Sequence, residues 1–211
     1  MFRKLIFCAL ILGALTSGCA YQGAVKTVSA TNIYSDNDKR IPGKFSYNVD
    51  QTSLSKLKVN DTVSGYMCSA HHFPIDAMYA FEQSFPTMLQ QVFDDITPGD
   101  SNSNNLNSIN LLFRVERFDP KLKFSKKFFG ADAEATVDLS VSVTGTKSNN
   151  RVFGTTVETQ RTSSGDGGSF CGGGPAVLGA AIEKAAKDIL EKLGERMANS
   201  QSLRNQSSVK N

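Results

Sequence analysis

The stretch ADAEATVDLSVSVTG, residues 131–145, sets the strongest limit on what this chain can fold into. Ala133, Ala135, Val137, Leu139, Val141 and Val143 alternate with Asp132, Glu134, Thr136, Asp138, Ser140 and Ser142. Successive strand side chains point to opposite faces, so one face here is apolar and the other polar. That pattern belongs to an antiparallel sheet buried on one side and wet on the other. The apolar face needs a cover, and two amphipathic segments are available. In PAVLGAAIEKAAKDILEKLGERM (175–197), Leu178, Ile182, Ala185, Ile189 and Leu193 share one helical face. Over 74–97, Ile75, Met78, Phe81, Phe85, Met88, Leu89, Val92 and Ile96 recur at three- and four-residue steps. Pro74 suits a first helical turn, Pro86 should kink or divide this helix, and Pro98-Gly99 should end it.

The remaining segments fit the same plan. Residues 109–116 alternate as a strand, and VFGTTVETQR (152–161) returns beside 131–145 after the turn TKSNNR. Residues 26–34, 44–49 and 62–67 are β-prone, and 51–58 suits a helical turn. Residues 99–108 read as a polar loop and 162–175 as a glycine-rich one. The end of the chain, 199–211, has little to bury and reads as a disordered tail. The expected fold is α+β, an antiparallel sheet with one face covered by two amphipathic helices.

The N-terminus states an address. Arg3 and Lys4 precede an uncharged apolar run from Leu5 to Leu15, followed by Thr16-Ser17-Gly18-Cys19. The run is far shorter than the roughly twenty residues a spanning helix needs, which leaves an export signal. Leu15-Thr16-Ser17-Gly18-Cys19 resembles the lipobox of bacterial lipoproteins. The resemblance implies cleavage before Cys19 and attachment of acyl chains, such as palmitate, to that cysteine. Several chains on one residue hold firmly, since each buried methylene contributes about 0.8 kcal/mol. In this class an aspartate after the cysteine marks inner-membrane retention. Ala20 stands there instead, implying the outer membrane of a Gram-negative cell, facing the periplasm. The layout is then a signal peptide (1–18), a lipidated tether (19–24), a periplasmic α+β domain (25–198) and the tail (199–211). Element order in the mature chain is also similar to small periplasmic lipoproteins serving outer-membrane assembly or secretion.

Removing residues 1–18 lowers the formal net charge from +3 to +1. No basic surplus is left to bind nucleic acid. Of four cysteines, Cys8 leaves with the signal and Cys19 takes lipid, so Cys68 and Cys171 are an even pair in an oxidising compartment. A disulfide between them is expected. The competing reading is chemical: Cys68, His71 or His72 and Cys171 as zinc ligands, or Cys68 with His71 as a nucleophilic pair. The glycine loop carries no Gly-Lys-Ser/Thr and reads as a flexible approach to Cys171. No catalytic constellation, metal set or cofactor motif emerges.

One surface segment stands out. In RFDPKLKFSKKFFGAD (117–132), Lys121, Lys123, Lys126 and Lys127 interleave with Leu122, Phe124, Phe128 and Phe129. Lysines among exposed aromatics suit an anionic membrane or an acidic partner. The same pattern suits phenylalanines entering the core while lysines blunt a sheet edge. The functional expectation is a non-enzymatic, lipid-anchored envelope protein that binds an envelope protein or lipid. A thiol- or metal-dependent protein centred on Cys68 and His71, and a small-ligand carrier, are the alternatives.

Overall fold

The computed structural model describes residues 21–99 and 108–208; the signal segment and Cys19 lie outside them. Three long strands carry the architecture: β5 (Ile109–Lys126), β6 (Ala131–Lys147) and β7 (Asn150–Asp166). They form an antiparallel meander with β6 in the middle. The β6–β7 turn is Ser148-Asn149, both at positive φ (48° and 64°), as a two-residue hairpin of matching twist requires. The alternation of β6 is realised: Ala133, Ala135, Val137, Leu139, Val141 and Val143 are buried. The opposite face is laced by polar pairs, including Gln160 to Asp138 and Thr136 with Thr162.

β5 is longer than its alternation suggests. Ile109, Leu111, Phe113 and Val115 point inward; after a bulge between Val115 and Arg117 the inward residues become Pro120, Leu122 and Phe124. One extra residue shifts the two-residue period, so a single strand reads as a strand followed by an irregular connection.

The sheet is mixed, which corrects the purely antiparallel expectation. β1 (Ile41–Val49) runs parallel to both β5 and β4 (Phe93–Pro98), in the order β4-β1-β5-β6-β7. Parallel neighbours need a crossover, and the chain between β1 and β4 supplies it. It comprises α1 (Gln51–Leu54), β2 (Lys58–Val59), β3 (Ile75–Asp76), α2 (Met78–Glu82) and α3 (Phe85–Val92). The helix expected over 74–97 is thus divided. Pro86 sits in the first turn of α3, where its missing N–H costs nothing, and residues 93–98 pair with β1 as a strand. Pairing along β1 overrides the helical spacing of Phe93 and Ile96.

α4 (Gly174–Ala198) packs across β5, β6 and β7 and against α3. Its inward face includes Leu178, Ile182, Ala185, Ile189 and Leu193, all 0–2% exposed. Residues 26–34 form no strand. They run as a strap along α4, where Glu183, Glu191, Glu195 and Asn199 accept hydrogen bonds from the backbone N–H groups of Lys26, Asn32, Tyr34 and Asp36. Residues four apart share a helix face, so one row of acceptors replaces a strand partner. Close approach is built in: a Cβ on Gly179 would lie 2.7 Å from the Ala24 carbonyl oxygen.

Three other expectations change. Residues 62–67 form no regular strand; only Val63 bridges, beside Leu122, with Leu122 N–H donating to Thr62 and Ser64 N–H to Leu122. The described part of the 19–24 tether is packed: Tyr21 N–H donates to the His72 carbonyl (2.9 Å), and Gly23 bridges to Ile75. The tail expected to be disordered contains α5 (Gln201–Ser208), whose Leu203 is fully buried. A single apolar residue is enough there because α5 lies against β1 and β7.

Candidate functional site

Cys68 and Cys171 are joined, with Cα atoms 6.2 Å apart and a sequence separation of 103. Closing so long a loop restricts the unfolded chain, an effect of about 4–5 kcal/mol at most in the entropic treatment. Both cysteines hold positive φ (65° and 67°), as does the adjacent Phe170 (55°). Non-glycine residues pay for this conformation, so the bridge pins two loops that sterics alone disfavour.

The glycines around the bridge serve close approach. Gly167 N–H donates to the Ala131 carbonyl, and Gly173 N–H to that of Gly167, both at 2.8 Å. A Cβ on Gly174 would meet the Phe124 ring at 2.6 Å, and one on Gly173 would collide with the Asp166 carbonyl. The loop therefore joins the β5–β6 hairpin to the start of α4. Gly172 brings in Tyr21, with its Cβ position 3.7 Å from that ring. The Tyr66–His72 loop is attached through the disulfide and through Tyr21. Three loops and the first described residues thus meet at one end of the molecule.

The lysine-aromatic segment divides between core and surface there. Leu122 and Phe124 are buried, Phe124 packing against Phe73 with ring centroids 5.4 Å apart. Phe128 and Phe129 occupy the hairpin tip, 94% and 85% exposed, touching only edge to face. Lys127 pairs with Asp132, and Lys121 with Asp119 at 2.8 Å; each hydrogen-bonded carboxylate raises its lysine's pKa. Lys123 and Lys126 are exposed and in no ion pair among the described residues. Two further exposed aromatics come from the bridged loops: Tyr66 (99%) and Phe170 (83%). Sequence reasoning missed both. The available signal was an aromatic isolated among glycines, and a tyrosine beside the cysteine with no periodic partner.

The histidines separate. His72 Nδ1 lies 3.6 Å from an Asp61 carboxylate oxygen at the surface. His71 packs edge-on against Tyr21 (5.5 Å) and its Nδ1 is buried with no hydrogen-bond partner. With both sulfurs in the bridge, neither cysteine presents a thiolate for catalysis or metal binding. Among the described residues no three His, Cys, Asp or Glu side chains gather as a metal site.

Two other places bear on ligand binding. Between helices and sheet, Phe81, Leu139 and Ile182 line a small apolar space with room for about one water molecule. An open cleft of about 820 Å³ lies beside Tyr47, Asp50, Glu82 and Arg114. Burial, and secondarily the Glu82 charge, raise the Tyr47 pKa, leaving a neutral phenol. Elsewhere Asp188 on α4 binds Thr159, Arg161 and Lys192. Burial opposes its ionisation, but hydrogen bonds from Lys192, Thr159 and Arg161 together lower its pKa. This joins α4 to β7 and is structural. Among the described residues no helix is long and apolar enough to cross a membrane.

No family model matches this chain, and no curated protein does. Solved structures with a similar fold include a Xanthomonas campestris protein described as DUF330 (12% identity, TM-score 0.48, 83% of this chain and 92% of that one). A minor lipoprotein from Acinetobacter baumannii is similar at 11% identity and TM-score 0.43, over 76% of this chain and 93% of that one. A neuraminyllactose-binding hemagglutinin homologue from Helicobacter pylori is similar at 8% identity and TM-score 0.44, over 86% and 98%. At such identities and scores these likenesses carry no function across.

Proposed function

We propose that this chain is a lipid-anchored protein of the bacterial cell envelope, held in the outer membrane by acyl chains on Cys19. Its domain faces the periplasm and has a binding or structural role, without catalysis, in contact with an envelope protein or lipid. One observation carries the reading: Tyr21, two residues beyond the cysteine of the lipobox-like stretch, is already held by the domain, its N–H donating to the His72 carbonyl. The anchor and the folded domain are then contiguous, with no room for a long tether.

A disulfide closing most of the mature chain suits an oxidising compartment, and its formation removes the thiolates that nucleophilic or zinc chemistry would use. Among the described residues, the apolar space beside Phe81, Leu139 and Ile182 is small, which favours a surface role over a carrier. Ala20 in place of aspartate favours the outer membrane. Fractionating host membranes after Cys19→Ser tests the proposal. The wild-type chain should sediment with the outer membrane and the variant should leave it; equal distribution of the two would refute the anchor. Changing Lys121, Lys123, Lys126 and Lys127 together to Gln tests the lysine-aromatic surface, and unaltered function in the host would discount those charges.

A further inference from the structure

Six large hydrophobic side chains are strongly exposed among the described residues, and four of them, Tyr66, Phe128, Phe129 and Phe170, sit on the loops gathered at the Cys68–Cys171 end. They include every strongly exposed phenylalanine among the described residues. Apolar side chains clustered at loop tips contribute nothing to the core and mark a contact surface. The strap and the residues before it fix which end this is: Tyr21 lies against Gly172 just before α4, while Tyr34 lies beside Glu195 near the other end of that helix. The helix spans about 37 Å at 1.5 Å per residue, so the two ends are well separated.

We propose that this end of the domain docks directly on the bilayer, with Phe128, Phe129 and Phe170 inserted at the level of the lipid headgroups and Tyr66 at the rim. The proposal rests on the lipid anchor at Cys19 and adds the orientation of the domain and a second membrane contact. The occupant follows from where the chain leads. Two residues reach at most about 7 Å, so a lipidated Cys19 holds the loops at Tyr21 within about that distance of the headgroups. A protein partner would have to displace lipid already there.

Charge plays the smaller part. Lys127 is neutralised by Asp132, leaving Lys123 and Lys126 to reach past the aromatics toward phosphate. Glu134 stands opposite Lys123, so strong anionic-lipid dependence is not expected. The pinned geometry matters more. Cys171 follows Phe170 directly, and its bond to Cys68 presents that ring together with the Tyr66 loop as one rigid edge. Aromatics held this way lose little conformational entropy on insertion.

The chain contains no tryptophan, so one introduced indole reports alone. Phe129→Trp, Phe170→Trp and, at the far end, Tyr34→Trp would be purified as the lipidated full chain. Each would be placed in phosphatidylethanolamine–phosphatidylglycerol vesicles with acyl chains brominated in the upper half. Docking predicts blue-shifted emission and at least about twofold quenching for Phe129→Trp and Phe170→Trp, with Tyr34→Trp unchanged. Quenching no greater than that of Tyr34→Trp would overturn it. So would a blue shift without quenching, which signals burial against protein, either a second copy or another partner. Intact mass of the same samples separates the two claims: acylated but unquenched chain refutes docking and leaves the anchor, whereas a chain without acyl mass refutes both.

Discussion

The two ends of α4 are built in opposite ways. At its C-terminus, polar groups and one buried leucine close the structure. Asn199 accepts from the Asp36 N–H and donates to the Tyr34 carbonyl, Arg204 donates to the Lys39 and Ala198 carbonyls, and Leu203 fills the core beneath α5. At its N-terminus, backbone hydrogen bonds are joined by a covalent bond between loops with unfavourable backbone angles, and Tyr66 and Phe170 on those loops face outward. Weak interactions in number stabilise the first end. The second adds a covalent constraint to its backbone hydrogen bonds, and Tyr66, Phe128, Phe129 and Phe170 there stay outside the core. An edge available for contact is what a membrane-facing end needs.

Substitutions should bring out that contrast. The largest effect is expected from Cys68→Ser with Cys171→Ser: about 3–5 kcal/mol lost in urea unfolding, with the Tyr66–His72 and Gly167–Gly173 loops the first sites of proteolysis. A loss below about 1 kcal/mol would mean that the loops hold their places unaided. Leu203→Ala at the other end should cost about 2–4 kcal/mol through the cavity it leaves. A near-neutral result would show that α5 adds nothing to the core.

Asp188→Asn tests the α4–β7 junction and should cost about 1 kcal/mol at neutral pH. The sign with pH follows from its lowered carboxyl pKa. Its contribution is complete above the unfolded aspartate value of about 3.9 and is lost as pH falls through the folded value. The gap between wild type and variant should therefore close in acid; a gap independent of pH would argue that hydrogen-bond geometry alone matters. The smallest effect is expected from Phe128→Ala, Phe129→Ala and Phe170→Ala, each within about 0.5 kcal/mol of wild type. A larger loss would place those rings in the fold rather than on a contact surface.

Much of this architecture was legible in the sequence, where it depended on local periodicity. The face of β6 and the inward face of α4 could be read residue by residue. What escaped depended on distant partners. The 26–34 strap finds its acceptors about 160 residues later on α4, so no local pattern announces it. The bulge after Val115 broke an alternation that continues beyond it, and Phe93–Pro98 borrowed helical spacing while pairing with β1. At the candidate site, the lysine-aromatic run was visible, but its division into buried Phe124 and exposed Phe128 and Phe129 was not. Tyr66 and Phe170 join that surface only because the Cys68 and Cys171 loops come together.

The most direct test of the account is the intact mass of the protein extracted from host membranes, taken with and without reductant before alkylation. The account predicts a chain beginning at Cys19, heavier by its acyl groups, and alkylated at Cys68 and Cys171 only after reduction. An unacylated chain whose Cys68 is alkylated without reductant would contradict both the anchor and the bridge.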